Sequence, residues 1–164
     1  TQLGVAAKVA PCLISCNHPL ASVNNAYNAI FVKGNMSGET MYYGSGAGKL
    51  PTAAAVVGDI IDIVKRKGVY MPIDWNVDKE LHVLSPEKSS VKAFVRIGFE
   101  NKPDAEKAVK DLFGDVKFTV INGLNNEFAF ITGQETEKSV YDKVNELKNA
   151  SAVKEIFNVI HVEE

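Results

Sequence analysis

The sequence predicts an α+β protein built from two structural units. The hydrophobic pattern changes near residue 70: strand-like segments and one long apolar helix precede that point, and short strands alternating with two amphipathic helices follow it. A chain of 164 residues suits one ordinary domain or two small ones. We therefore expect a first unit at 1–68, a linker at 69–90 and a second unit at 91–164.

The first unit is predicted to contain mainly β structure before its helix. Residues 5–16 are apolar and compatible with a strand. NAIFV at 28–32 and ETMYY at 39–43 read as two strands of a hairpin, joined by the Gly34–Gly38 loop. The glycine-rich segment GSGAGK then leads into a helix.

That helix is expected from Pro51 to Lys67. Proline suits the first helical turn, cations suit the last turn, and Gly68 stands where a helix often terminates. Its polar side chains form only a narrow stripe, and a helix that is apolar almost all round is normally buried among several neighbours. The fifty preceding residues are too few to surround it, so we expect part of its packing surface to come from outside this chain.

The second unit is predicted to have the order β-α-β-β-α-β. The linker holds one short strand, ELHVL, and VKAFVRIGF then begins the unit. A helix follows, with Asn101 and Asp104 at capping-box spacing, and then two strands around the turn at Gly123. A second helix with Thr136 as N-cap and a final strand complete it. This order is the ferredoxin-like topology, an antiparallel sheet covered on one face by two helices.

Composition and charge exclude several classes of protein. A formal charge of −2 leaves no basic excess for generic nucleic-acid binding, and no apolar run reaches 18 residues, so we expect no membrane span and a cytoplasmic location. Cys12 and Cys16 are spaced too far apart for a disulfide in an extended segment and are expected to be reduced and mostly buried. The three histidines have no partners at ligand spacing, so no metal site is expected.

The glycine-rich segment fits neither common phosphate-binding motif. Counting back from Gly48-Lys49 places Tyr43 where a P-loop needs its first glycine, and Lys49 stands where the G-x-G-x-x-G fingerprint needs its third. Glycines still allow close backbone approach, and the turn leads into a helix N-terminus, so an anion or cofactor contact is one interpretation. A tight strand-to-helix turn without a ligand fits the residues equally well.

The segment from His18 to Ile63 contains, in order, an HPLA element, a V-x-x-x-x-NA strand, a YG-x-GAG-x-x-PTA turn and an A-V-x-x-D helix. In these motifs it resembles the C-terminal part of the catalytic region of the homoserine dehydrogenase family. Residues 91–164 are similar to an ACT domain, a small-molecule regulatory module that follows the catalytic region in many bacterial members. The predicted architecture is therefore a partial substrate and dimerisation segment followed by an ACT domain.

The resemblance implies an NAD(P)-dependent interconversion of L-homoserine and aspartate 4-semialdehyde, in threonine, methionine and isoleucine synthesis. It implies that the glycine turn reaches the cofactor, with Gly48 as the principal position and Gly46, Ala47 and Thr52 as its neighbours. The family's Rossmann fingerprint and catalytic lysine are missing from the sequence, and Thr1 stands where a start methionine is expected. We therefore expect a C-terminal fragment with no catalytic residue of its own, inactive in isolation. NAD or NADP preference and a fused aspartokinase stay open.

His18 and the turn at 101–104 are the remaining candidates. His18 belongs to the family signature, but a hydrogen-bonded histidine ahead of a proline turn is the interpretation we favour. Effector-binding ACT domains carry a D-x-P-G-like turn; Asn101 and Pro103 fit it, whereas Asp104 replaces the glycine and its carboxylate would repel that of an amino acid. We expect this unit to serve homo-oligomerisation and leave effector binding open.

Two other functions compete with the enzyme. One is a stand-alone amino-acid sensor built on the ACT module, and the other is an interaction domain without a ligand. Neither needs HPLA, GAGKLPTA and an apolar helix in residues 1–68, so these motifs favour the dehydrogenase.

Overall fold

The computed structural model describes residues 4–69, 82–120 and 122–163, which form two compact units. One unit combines residues 4–14 with residues 82–163, and the other begins at Ser15 and extends through the described residues to 69. This grouping differs from the predicted ranges, because the first described residues belong with the C-terminal unit. Most of the predicted linker at 69–90 lies outside the described residues.

The elements alternate along the chain as follows. The strands are β1 (Gly4–Val5), β2 (Cys12–Ile14), β3 (Tyr27–Gly34), β4 (Gly38–Ser45), β5 (His82–Val83), β6 (Ser90–Phe99), β7 (Phe118–Val120), β8 (Glu127–Ile131), β9 (Glu135–Thr136) and β10 (Val153–Glu163), and the helices are α1 (Lys49–Arg66), α2 (Lys102–Phe113) and α3 (Glu137–Lys148).

The C-terminal unit is a sheet in the order β2-β10-β6-β8-β7. Among the last four strands, each neighbouring pair is antiparallel, and β2 pairs with β10 in parallel. From β6 to β10 the main elements follow the predicted β-α-β-β-α-β order, with the two-residue strand β9 added beside β6.

Phenylalanine side chains form the centre of this unit. Phe128 and Phe130 on β8 are almost completely buried. Phe99 and Phe118 lie 5.5 and 4.9 Å from Phe128, and Phe113 of α2 lies 5.2 Å from Phe130, measured between ring centroids. Each fully buried phenylalanine contributes about 1.5–3 kcal/mol to stability. The same core cluster contains buried apolar side chains of β6, α2 and α3, so both helices pack on one face of the sheet.

The N-terminal segment adds a strand that the sequence pattern did not assign to this unit. Cys12 and Ile14 of β2 stand opposite His161 and Glu163 of β10. Between β1 and β2, the Lys8 ammonium lies 2.6 Å from Glu137 Oε1 and 2.9 Å from His161 Nε2. An ammonium group only donates hydrogen bonds, so His161 Nε2 is the acceptor in its contact with Lys8. Cys12 and His161 are 149 positions apart, so their pairing leaves no local sequence signal.

The predicted helix caps are confirmed at one helix and wrong at the other. Thr136 Oγ1 accepts the N–H of Ser139 at 3.2 Å and caps α3 as predicted. Asn101 makes no side-chain cap bond, so the predicted capping box with Asp104 does not form. The backbone starts α2 instead, with the Ala105 N–H donating to the Asn101 carbonyl at 3.0 Å.

The second unit consists of the β3–β4 hairpin and α1. Tyr27 to Gly34 pair in register with Ser45 to Gly38. Helix α1 begins two residues before the predicted start and ends at Arg66, one residue before the predicted end; the next residue, Lys67, is left-handed with φ of 45° and terminates it. No residue of α1 is buried, and Leu50 and Ile63 are 82% and 71% exposed. The apolar surface of this helix therefore has no cover among the described residues of its unit.

Two composition-based expectations have different outcomes. Both cysteines are free thiols, but the expectation that they are buried is wrong, because Cys12 lies on the short outer strand β2 and Cys16 in the loop after it. None of the helices in the described ranges is long and apolar enough to cross a membrane.

Glu135 should make the stability of the C-terminal unit depend on pH. The Lys143 ammonium, 2.7 Å from Oε1, and the Ser139 hydroxyl, 2.6 Å from Oε2, hold the pKa of Glu135 below its usual range. A lowered pKa stabilises the fold at neutral pH, and this contribution is lost as the pH falls through that pKa. Glu135→Gln should lower the free energy of unfolding by about 0.5–1 kcal/mol at neutral pH and by less in acid. Urea unfolding at both pH values measures this, with exposed Glu155→Gln as control; an equal loss at both would contradict it.

Lys8 should hold the N-terminal segment on the sheet. In Lys8→Met, the largely buried Glu137 carboxylate loses its ammonium partner, while its Oε2 is already buried without a hydrogen-bond partner. We expect a loss of about 1–2 kcal/mol and faster hydrogen exchange in β2. Lys102→Met is the matched control, because that lysine makes only an exposed 3.8 Å pair with Glu106, worth about 0–0.5 kcal/mol. Equal losses in the two variants would refute a role for Lys8.

Candidate functional site

The glycine-rich turn joins the last residue of β4 to the first residue of α1. Gly46, Ala47 and Gly48 make this connection, and Gly48 has φ of 128°. Residues with a side chain rarely adopt that backbone conformation. A Cβ on Gly48 would also lie 3.3 Å from Pro51 Cδ. The positive φ therefore favours glycine at position 48, and the tight approach of Pro51 adds to that preference.

The N-terminus of α1 is open to a ligand. No side chain caps it, and its first turn contains no acidic residue. The Gly48 carbonyl accepts the N–H of Thr52 at 3.1 Å, so that amide is used within the helix. The positive end of the helix dipole and the Lys49 ammonium favour a negatively charged or polar group here.

The predicted positions Gly46, Ala47, Gly48 and Thr52 therefore lie together on one exposed turn. Their contact with a cofactor stays a prediction.

A shallow surface depression of about 260 Å³ adjoins this turn on the hairpin. It is lined by residues of β3, β4 and the turn: Asn28, Ala29, Ile30, Tyr42, Tyr43, Gly44, Ser45 and Gly46. Tyr43 also stacks on Tyr27, with ring centroids 5.0 Å apart. Of these lining residues, sequence reasoning named only Gly46; the signal for the others was the predicted hairpin of β3 and β4, in which residues 28 and 44 stand opposite each other.

His18 has a structural environment that supports the favoured interpretation. Its Nδ1 accepts the N–H of Leu20 at 3.2 Å and so caps the short 3-10 turn Pro19–Ser22. Its ring meets Phe31 edge-on at 4.7 Å. Because Nδ1 accepts, the proton of the neutral ring is on Nε2. In the described part of the chain, no group of three or more His, Cys, Asp or Glu residues is arranged to hold a metal ion.

The turn proposed for an effector lies in the C-terminal unit. Asn101, Pro103 and Asp104 are exposed at the start of α2, and the Asn101 side chain makes no cap bond to the helix. Asp104 is in the first helical turn, where its charge is favourable for the helix dipole. That location explains an aspartate there without invoking a ligand, and effector binding at these residues stays a prediction.

Comparison with known proteins bears on residues in both units. Residues 1–61 match the family model described as homoserine dehydrogenase. The homoserine dehydrogenase of Bacillus subtilis is 31% identical over 94% of this chain, and that of Synechocystis is 56% identical over 35% of it. These alignments cover 38% and 13% of the respective relatives.

The crystal structure of a homoserine dehydrogenase from Thiobacillus denitrificans superimposes on the whole chain. The TM-score is 0.80 at 25% sequence identity, and the match covers 40% of that protein. This chain thus spans about two fifths of the length of the relatives that it matches along most of its own length. The chain is therefore similar to homoserine dehydrogenases along most of its length, and the similarity lies in the C-terminal part of those relatives.

Proposed function

We propose that this chain contributes to the NAD(P)-dependent interconversion of L-homoserine and aspartate 4-semialdehyde. The observation that carries the proposal is the glycine turn at the uncapped start of α1, within the 1–61 segment that matches the family. The reaction belongs to threonine, methionine and isoleucine biosynthesis. We also propose that the protein acts as a homo-oligomer.

The residues of the turn fit a nicotinamide dinucleotide. Gly48 has no side chain in the way of a ligand, and the first turn of α1 has no carboxylate to repel phosphate. Backbone N–H groups at the start of α1 and the nearby Lys49 would bind a polar or anionic part of the cofactor. Ala47 and the Thr52 hydroxyl complete the exposed surface of the turn. The cofactor, when bound, accepts or delivers the hydride.

No residue of this chain is proposed to transfer a proton. The sequence contains no G-x-G-x-x-G fingerprint, and His18 uses its Nδ1 to cap the Pro19–Ser22 turn. The chain's proposed contribution is therefore cofactor positioning by the turn, with the reacting groups supplied by the rest of the enzyme.

A direct assay tests this function. The full-length gene product should oxidise L-homoserine with NAD or NADP, followed by the absorbance of the reduced cofactor, whereas the purified 164 residues should give only background. In the full-length protein, Gly48→Ala should raise the KM for cofactor about tenfold or more. The added side chain would displace the backbone N–H groups of the turn from the cofactor. Absence of homoserine oxidation by the full-length protein would refute the proposal, and turnover by the 164 residues alone would refute its division of labour.

The C-terminal unit is proposed to be an ACT domain with ferredoxin-like topology, serving dimerisation. The strand order β10-β6-β8-β7, with α2 and α3 on one face, supports this assignment. On the opposite face of the sheet, Arg96 and Glu127 form a half-buried ion pair. The Arg96 Nη2 and Nε atoms lie 2.6 and 2.7 Å from Glu127 Oε2.

Amino-acid binding by this unit is tested separately. Because Asp104 would repel the carboxylate of an amino acid at the start of α2, threonine, methionine or isoleucine should give no saturable heat by calorimetry. Asp104→Gly restores the D-x-P-G-like pattern and removes that charge, and Asp111→Gly, later in α2, controls for general loosening of the helix. Saturable one-per-site binding of any of the three amino acids to the unaltered protein would contradict this prediction and favour an amino-acid sensor.

A further inference from the structure

The side chain of Asn28 lies directly against the backbone of Gly46. Asn28 on β3 stands opposite Gly44 on β4, and its carboxamide extends toward the next glycine of the turn. A Cβ built on Gly46 would overlap Asn28 Nδ2 and lie 2.6 Å from Cγ. The amide therefore occupies the space beside Gly46, and a side chain at position 46 would require the Asn28 carboxamide to move.

This contact is specific to one glycine of the segment. Added Cβ atoms on Gly44 and Gly58 would meet nothing within 4 Å. A Cβ on Gly48 would meet only Pro51, the third residue of the helix that it precedes. Asn28 is thus the side chain that packs on the turn from the opposite strand.

The turn needs such a contact because it has little order of its own. Gly46, Ala47 and Gly48 are small residues, and glycine loses more backbone entropy on ordering than any other residue. No side chain caps α1, so the helix start does not fix the turn from the other end. The hydrogen-bonded hairpin is the rigid element beside the turn, and Asn28 projects from it.

We propose that Asn28 is a positioning residue that fixes the path of Gly46–Gly48, and thereby aims the first backbone N–H groups of α1 at the cofactor. This inference rests on the proposed function of the turn. Asn28 acts through the turn, and its role is steric: the planar amide and the absent Cβ at position 46 fit each other.

Backbone NMR relaxation of the 164-residue chain tests the steric part without any activity. Asn28→Ala should lower the amide order parameters of Ser45 to Leu50 to below about 0.6, the range of flexible backbone, while those of β6 stay unchanged. Asn28→Asp has nearly the same shape and should keep the order parameters of the unaltered chain. Unchanged order parameters in Asn28→Ala would overturn the proposal.

Steady-state kinetics of the full-length gene product test the functional part. Asn28→Ala should raise the KM for cofactor about five- to tenfold, with little change in the KM for homoserine. Gly46→Ala should be more severe, because its methyl group overlaps the amide. In the Asn28→Ala background that methyl group has room, so Gly46→Ala should then add little. Gly58→Ala, in the open middle of α1, should leave the KM for cofactor unchanged.

The outcomes separate this inference from the proposed function. If Gly48→Ala leaves the KM for cofactor unchanged in a folded enzyme, the turn does not contact the cofactor and the proposed function of the turn fails. If Gly48→Ala raises that KM but the effects of Asn28→Ala and Gly46→Ala simply add, the proposed function stands and the positioning role is wrong. A purely structural contact would couple the two substitutions in melting temperature but not in the KM for cofactor.

Discussion

Burial of the phenylalanine cluster between one face of a sheet and two helices is the interaction on which the C-terminal unit depends. Phe128 and Phe130 bring β8 against α2, and the neighbouring rings of Phe99 and Phe118 extend the contact to β6 and β7. The alternation of β6, with Ala93, Val95 and Ile97 almost fully buried, places one whole face of that strand in the same core. Polar contacts such as Thr132 Oγ1 accepting the Ala93 N–H at 3.0 Å then satisfy the backbone beside it.

The hairpin unit is held together by different forces. Its described residues include none that is buried, so backbone pairing between β3 and β4, the Tyr27–Tyr43 stack and the His18–Phe31 contact supply its order. The glycine turn of this unit therefore has no buried core to hold it in place. For this reason we propose that the contact between the Asn28 amide and Gly46 sets the conformation of the turn.

Local pattern predicted those parts of the structure that depend on neighbours along the chain. The apolar stripe of α2, the Thr136 cap and the hairpin turn each arise from residues a few positions apart, and each appears in the structure. The predicted capping box at Asn101 did not form, because the Asn101 side chain makes no hydrogen bond to the start of α2. Strand β2, the buried position of His161 and the Asn28–Gly46 contact depend on residues far apart in sequence or on side-chain direction, which periodicity does not encode. The motif predicted the glycine turn. The residues that line the adjoining depression could be identified only from the three-dimensional structure of the hairpin.

The pairing of β2 with β10 means that the two units are interleaved along the chain, since the polypeptide leaves the sheet at Ile14 and returns to it only after the hairpin and α1. A piece that began at residue 91 would leave one side of β10 from His161 to Glu163 with unpaired backbone groups. Exposed sheet edges of this kind recruit other strands and promote aggregation. Strand β2 therefore supplies the backbone partner for the last residues of β10, and a domain boundary placed at residue 91 would remove it.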